Sequence, residues 1–136
     1  MDYLLFDVFA EEPFQGNQLA VFPNGDALDD ATMQRLANEL NLAESIFLTR
    51  TGNEREPAQA RIFTPKHEVP FAGHPTVGAT VAIADVLRWV PQTVTKFAIK
   101  ERIGDVAVRV ERNGVTTAWL RTCLLYTSPS PRDRQK

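Results

Sequence analysis

Cysteine is almost missing from this chain: Cys123 is the only one in 136 residues. That excludes a disulfide framework and a thiolate metal cluster. Histidine is scarce as well. His67 and His74 lie seven positions apart with no carboxylate–histidine metal motif around them, so no metal site is expected. There is no surplus of positive charge: 15 Lys and Arg stand against 17 Asp and Glu, a net charge of −2. The basic residues are scattered, and a phosphate-binding domain normally shows the opposite balance, so no nucleic-acid partner is expected. A long hydrophobic run is missing too. The most apolar stretch, Val77 to Val90, is broken by Asp85 and Arg88 and is too short to span a bilayer. The N-terminus, MDYLLFDVFAEEPF, has no basic region and carries Asp2 and Asp7 within its apolar run, so it reads as a strand rather than a signal peptide. No membrane partner and a cytoplasmic location are the resulting expectations.

What the chain does have is the balance of a soluble globular domain, 43% hydrophobic and 24% charged, at a length that suits one domain with a real core. Tyr3 to Phe9 alternates loosely and predicts a strand, followed by a turn over Glu11 to Gly16 and a strand over Gln18 to Phe22. Pro23-Asn24-Gly25-Asp26 is a strong turn signal. Asp29 or Asp30 then caps a helix whose apolar residues Met33, Leu36, Ala37 and Leu40 recur with helical spacing. Short strands are expected at Ser45 to Thr49 and Ala58 to Thr64.

From Gly73 the pattern changes. Pro75 sits where a first-turn proline belongs, and a helix is expected through Val77, Ala79, Val81 and Ala84 to Leu87, with Pro91 ending it. Its first part is apolar or small nearly all round, which marks a buried helix. Two strands follow, Val94 to Lys100 and Asp105 to Arg112; in the second, Val106, Val108 and Val110 face one way and Arg109 and Glu111 the other. Asn113-Gly114 is a hairpin signal that pairs this strand with Thr116 to Arg121. Strands outnumber helices, and one helix is apolar enough to need a sheet wrapped around it. The expected fold class is α+β, with a mostly antiparallel sheet around a buried central helix.

Residues 123–136, CLLYTSPSPRDRQK, do not continue this pattern. Ser/Pro repeats and charges cannot form a core. Two readings stand: the translation of a sequencing adapter joined to a truncated reading frame, or an ordinary disordered terminus. The expected domain is therefore 1–122, with a tail at 123–136.

Three phrases are more specific: DVFAEEPFQGNQLAVF (Asp7 to Phe22), MQRLANELNLAESIFL (Met33 to Leu48) and ARIFTPKHEVPFAGHPTVGA (Ala60 to Ala79). In order and spacing the chain resembles the PhzF family of phenazine-biosynthesis-like proteins over Tyr3 to Thr122. The resemblance implies a diaminopimelate-epimerase-like fold, in which two similar domains each wrap a sheet around a central helix and the active site lies between them. It implies that this chain holds the first domain, that the helix after Gly73 is its central helix, and that the second catalytic domain is absent. It also implies a cofactor-independent isomerase acting on a small-molecule substrate, with homodimers common among relatives.

The same resemblance places Glu44 as the acid/base of an NLxE motif. A carboxylate can take a proton from one carbon and return it to another without a cofactor, provided both of its forms are accessible. From the residues alone, Glu44 reads equally as a solvated strand-end carboxylate or a helix-capping partner. His74, in Ala72-Gly73-His74-Pro75, falls in the family's site. Gly73 lets backbone approach a ligand, and the first-turn amides of the helix suit a substrate carboxylate. The bland reading of His74 is a structural hydrogen-bonder. Asn17 lines a cleft or fixes a turn. Asp7 and Arg61 read as sheet-edge charges. GHPTVG lacks the lysine of a phosphate loop and the glycine spacing of a dinucleotide fold. Many relatives carry a hydroxyl residue before the glutamate, where this chain has Ala43, and the natural part of the chain has no cysteine pair for two-base epimerase chemistry. The competing function is a non-catalytic small-molecule binder or interaction module of the same fold. The 136-residue product itself is expected to be inactive.

Overall fold

Side chains that alternate along the central strands send two apolar sets to the two faces of one sheet, and a helix covers each face. The computed structural model describes residues 2–8, 17–113 and 115–121. The turn expected at Glu11 to Gly16, Gly114 of the hairpin, and the tail at 123–136 lie outside the described residues.

Strand β1 (Leu4–Val8) pairs antiparallel with β2 (Asn17–Phe22). Helix α1 (Asp30–Leu40) follows, then β3 (Glu44–Arg50), which lies parallel to β2 with Leu19 opposite Glu44. β4 (Ala58–Phe63) runs antiparallel to β3, and the short β5 (Glu68–Val69) pairs with β4. Helix α2 (Gly73–Val81) continues into a π-helical turn over Ala82–Val86. β6 (Lys96–Glu101) then lies parallel to β4, and β7 (Gly104–Asn113) and β8 (Val115–Leu120) complete an antiparallel end. The sheet order is β1-β2-β3-β4-β6-β7-β8, with β5 beside β4. Each of the two parallel pairs is joined through a helix, the usual form of the long crossover that parallel pairing requires.

The two helices occupy opposite faces. Leu19, Val21, Ile46, Leu48, Ala58, Ala60 and Ile62 pack with Ala79, Ala82 and Ile83 of the α2 segment. The intervening Ala20, Phe22, Phe47 and Phe63 pack with Met33 and Ala37 of α1. Phe22 stacks on Phe47 with ring centroids 4.5 Å apart, and Phe63 meets Phe47 edge-on at 5.5 Å. Helix α2 touches both outer strands, β1 and β8, as well as β2, β3 and β7, so the sheet curls around it. The wrapped-helix α+β architecture is the one the residue pattern predicts.

Several details differ from the sequence reading. Helix α2 begins at Gly73, two residues before Pro75, and the chain turns out of it before Pro91, with Arg88 at φ 53°. Strand β6 starts at Lys96 rather than Val94 and includes Glu101. Arg61 is not at a sheet edge: β4 is an interior strand, and Arg61 sits opposite Phe47 of β3. Its guanidinium grips Glu68 through two bonds of 2.9 Å and reaches Asp30 at the start of α1, tying that helix to the sheet.

Candidate active site

The residues singled out from sequence meet at one end of α2, and local structure explains how each arrives there. Asp29 caps α1, its Oδ1 accepting from the Thr32 amide at 2.8 Å, which leaves Asp30 to pair with Arg61. At the other end of α1, Asn41 takes the left-handed conformation at φ 54°, where asparagine is tolerated, and its amide donates to the Ala37 carbonyl at 3.1 Å. That reversal feeds the chain into β3 at Glu44. Because alternate strand residues share a face, Glu44 points with Ile46 and Leu48 toward α2, while Ser45 points with Phe47 toward α1.

His74 is the second residue of α2 and is buried. Its Nδ1 lies 2.5 Å from Glu44 Oε1, and its Nε2 lies 3.1 Å from the main-chain carbonyl of Asn17. Asn17, the first residue of β2, is exposed and makes this contact through its backbone rather than its amide. The histidine side chain is 8% exposed and that of Glu44 21%, so the pair is sheltered on the histidine side and open on the glutamate side. Gly73 is half-buried at the first position of α2. No side chain caps that helix, and the Gly73 amide in its first turn has no intrahelical acceptor.

The hydrogens of this pair can be assigned from its partners. A carbonyl oxygen cannot donate, so His74 Nε2 carries the proton it gives to Asn17. A single proton then lies between Nδ1 and Glu44 Oε1, held either as imidazolium and carboxylate or as imidazole and carboxylic acid. With no proton there, two lone pairs would face each other at 2.5 Å. The pair thus shares one proton, and its glutamate reaches solvent.

The residue pattern missed one buried carboxyl close by. Glu101 follows Phe97 and Ile99 on the buried phase of β6 and is 5% exposed. An acidic residue in the apolar phase of a strand was the available signal, hidden because the strand was expected to end at Lys100. A shallow groove of about 430 Å³ lies at the far end of β3, lined by Arg50, Glu54, Arg88 and Trp89, and holds none of these residues. Among the described residues no group of three or more potential ligands could hold a metal ion, and no helix is long and apolar enough to cross a membrane.

Residues 6–130 match the phenazine biosynthesis-like protein family, PhzC-PhzF. The chain belongs to that family. This PhzF-family chain is 42% identical over 112 residues to an uncharacterized isomerase of Mesorhizobium japonicum, covering 82% of the chain and 36% of the relative. It is 41% identical over 110 residues to the trans-2,3-dihydro-3-hydroxyanthranilate isomerase of Pseudomonas aeruginosa, covering 81% of the chain and 37% of that enzyme. The crystal structure of a PhzF-family phenazine biosynthesis protein from Bacillus anthracis superposes with a TM-score of 0.74 at 26% identity, over 88% of this chain and 39% of that one. The PhzF-family chain therefore spans well under half the length of the relatives it matches. Its fold is the diaminopimelate-epimerase-like α+β fold expected from the resemblance.

Proposed function

We propose that this chain is one domain of a cofactor-independent isomerase that moves a proton between carbons of a small, carboxylate-bearing metabolite. The observation that carries the reading is the Glu44–His74 contact of 2.5 Å, with the second ring nitrogen of His74 engaged by Asn17. In the carboxylate form, Glu44 takes a proton from an acidified C–H. The electron pair released stays in the conjugated system of the substrate. The same carboxyl then returns a proton to another carbon, so no oxidant or reductant is needed. His74 holds Glu44 in place and balances its charge, and the Gly73 backbone at the start of α2 faces the substrate carboxylate. The isomerase names of the relatives support the reaction class.

The remainder of the site belongs to a second domain, in keeping with the 36% and 37% shares of the relatives that this chain covers. The 136-residue chain alone is then inactive. A cytoplasmic homodimer without nucleic-acid or membrane partners completes the reading.

The test is Glu44→Gln in a full-length protein carrying this domain. Turnover and solvent-deuterium incorporation should fall by about 10²–10⁴-fold, the usual scale for removing an acid/base group, with little change in ligand affinity. A wild-type protein that binds small carboxylates but never exchanges their carbon-bound hydrogen would instead be a binder of the same fold.

A further inference from the structure

Thr76, two residues beyond His74, has one hydroxyl hydrogen and two neighbours that would each accept it. Its Oγ1 lies 2.8 Å from the Ala72 carbonyl and 2.7 Å from Glu101 Oε2. The carbonyl has no proton to give. If Glu101 were ionised, Thr76 could satisfy only one acceptor and the other would face it lone pair to lone pair. The second oxygen of Glu101, Oε1, is buried and meets no hydrogen-bond partner among the described residues. An ionised carboxylate in that setting would lack compensation for burial. A carboxylic acid removes the first problem and eases the second: its O–H donates to Thr76 Oγ1, Thr76 donates to Ala72, and Oε1 stays unpaired but carries no charge.

Ala72 is the N-cap of α2, so this relay ends on the backbone that launches Gly73 and His74. We propose that Glu101 is a positioning residue: as a neutral acid it locks the first turn of α2 through Thr76 and so sets His74 against Glu44. The inference rests on the acid/base reading of that pair.

The surroundings agree with a neutral group. Burial pushes the Glu101 carboxyl up to about 7, against the opposing pull that donation from Thr76 to the ionised form would exert. Neither charged neighbour of Glu101 along the chain is bonded to it. Arg102 turns to Glu68 of β5 at 3.2 Å, and Lys100 is exposed opposite Asp105 of β7. His74 on α2 is held by Glu44 and Asn17. Ionisation of Glu101 would take the donor from Thr76 and loosen the helix start. The structure thereby couples the pH of the medium to the placement of His74.

Two readouts on the 136-residue chain itself test this without any turnover. Infrared spectra near pH 6 should show the carbonyl stretch of a protonated carboxylic acid. That band should disappear at alkaline pH, be absent from Glu101→Gln and persist in Glu44→Gln. Nitrogen-15 NMR of the His74 ring should show an inflection at the pH where the band disappears, and Glu101→Gln should lack that inflection. No band near pH 6, or a His74 response identical in wild type and Glu101→Gln, would overturn the proposal. In the full-length protein, wild-type turnover should decline as the pH passes about 7. Glu101→Gln should not decline there, while Thr76→Val should lose up to about 10²-fold, the scale of a misplacement of about 1 Å. If Glu44→Gln proves fully active, the acid/base reading fails. The infrared and NMR results still decide whether Glu101 sets His74.

Discussion

Gly78 of α2 lies so close to Leu19 of β2 that a Cβ on Gly78 would come within 2.4 Å of the Leu19 Cδ2, and within 3.1 Å of Val8 Cγ2. Leu19 is fully buried, so its side chain cannot swing into solvent to make room. The glycine is what lets the central helix seat against β1 and β2. That contact sets the distance between the start of α2 and the strand whose first residue, Asn17, holds His74.

Gly78→Ala should therefore destabilise the domain, although alanine is the better helix former. Forcing a methyl group into a filled core typically costs about 1–3 kcal/mol, more than the ~1 kcal/mol gained in helix propensity. Urea denaturation would show a lower midpoint with an unchanged slope. An unchanged or raised midpoint would mean that Leu19 and Val8 relax freely.

The carboxyl of Glu101 rises from 4.5 to about 7 because it is buried. A raised value means that the folded state holds the proton more tightly. Its contribution is full below pH 4.5 and is lost as the pH rises through about 7. At about 1.4 kcal/mol for each pH unit, the loss totals about 3 kcal/mol. Glu101→Gln should gain stability over wild type at pH 8 and show little or no gain at pH 4.5. Equal gains at both would remove the titration argument.

Arg61 holds Glu68 below its usual range, with Arg102 adding to the effect. The depressed value reverses the sign: Glu68 stabilises the fold above its ordinary 4.5, and that stability is lost as the pH falls through the folded value. Arg61→Ala should cost about 1 kcal/mol at neutral pH, the upper end for partly exposed pairs, and less in high salt. Arg61→Lys should recover little, because an ammonium cannot grip both oxygens of Glu68 while also reaching Asp30. Thermal melts at two salt concentrations would measure this.

In a full-length protein, Glu44→Gln and His74→Ala should not be additive. Groups that share one proton fail together, so the double variant should be scarcely slower than Glu44→Gln alone. Losses in kcat that multiply would show that His74 acts apart from Glu44.

Much of this domain was legible in short stretches of sequence. The cap and spacing of α1, the alternation in β7, the Asn113 hairpin and the apolar character of α2 depend on residues within a few positions of one another, where period and turn chemistry operate. Long-range partners were not legible. The parallel pairings of β2 with β3 and β4 with β6 rest on how the sheet curls around α2, which no local pattern encodes. Arg61 looked like an edge charge because strand order is set by the whole sheet. Glu44, Gly73, His74 and Asn17 could be named as candidates, but the bond that joins Glu44 to His74 crosses 30 residues, and the one to the Asn17 carbonyl crosses 57. Glu101 had its signal in the buried phase of β6, yet its meeting with Thr76 required two elements to pack. Local chemistry decided which segments are strands and which are helices. Tertiary packing decided which polar groups lost water and therefore had to find each other.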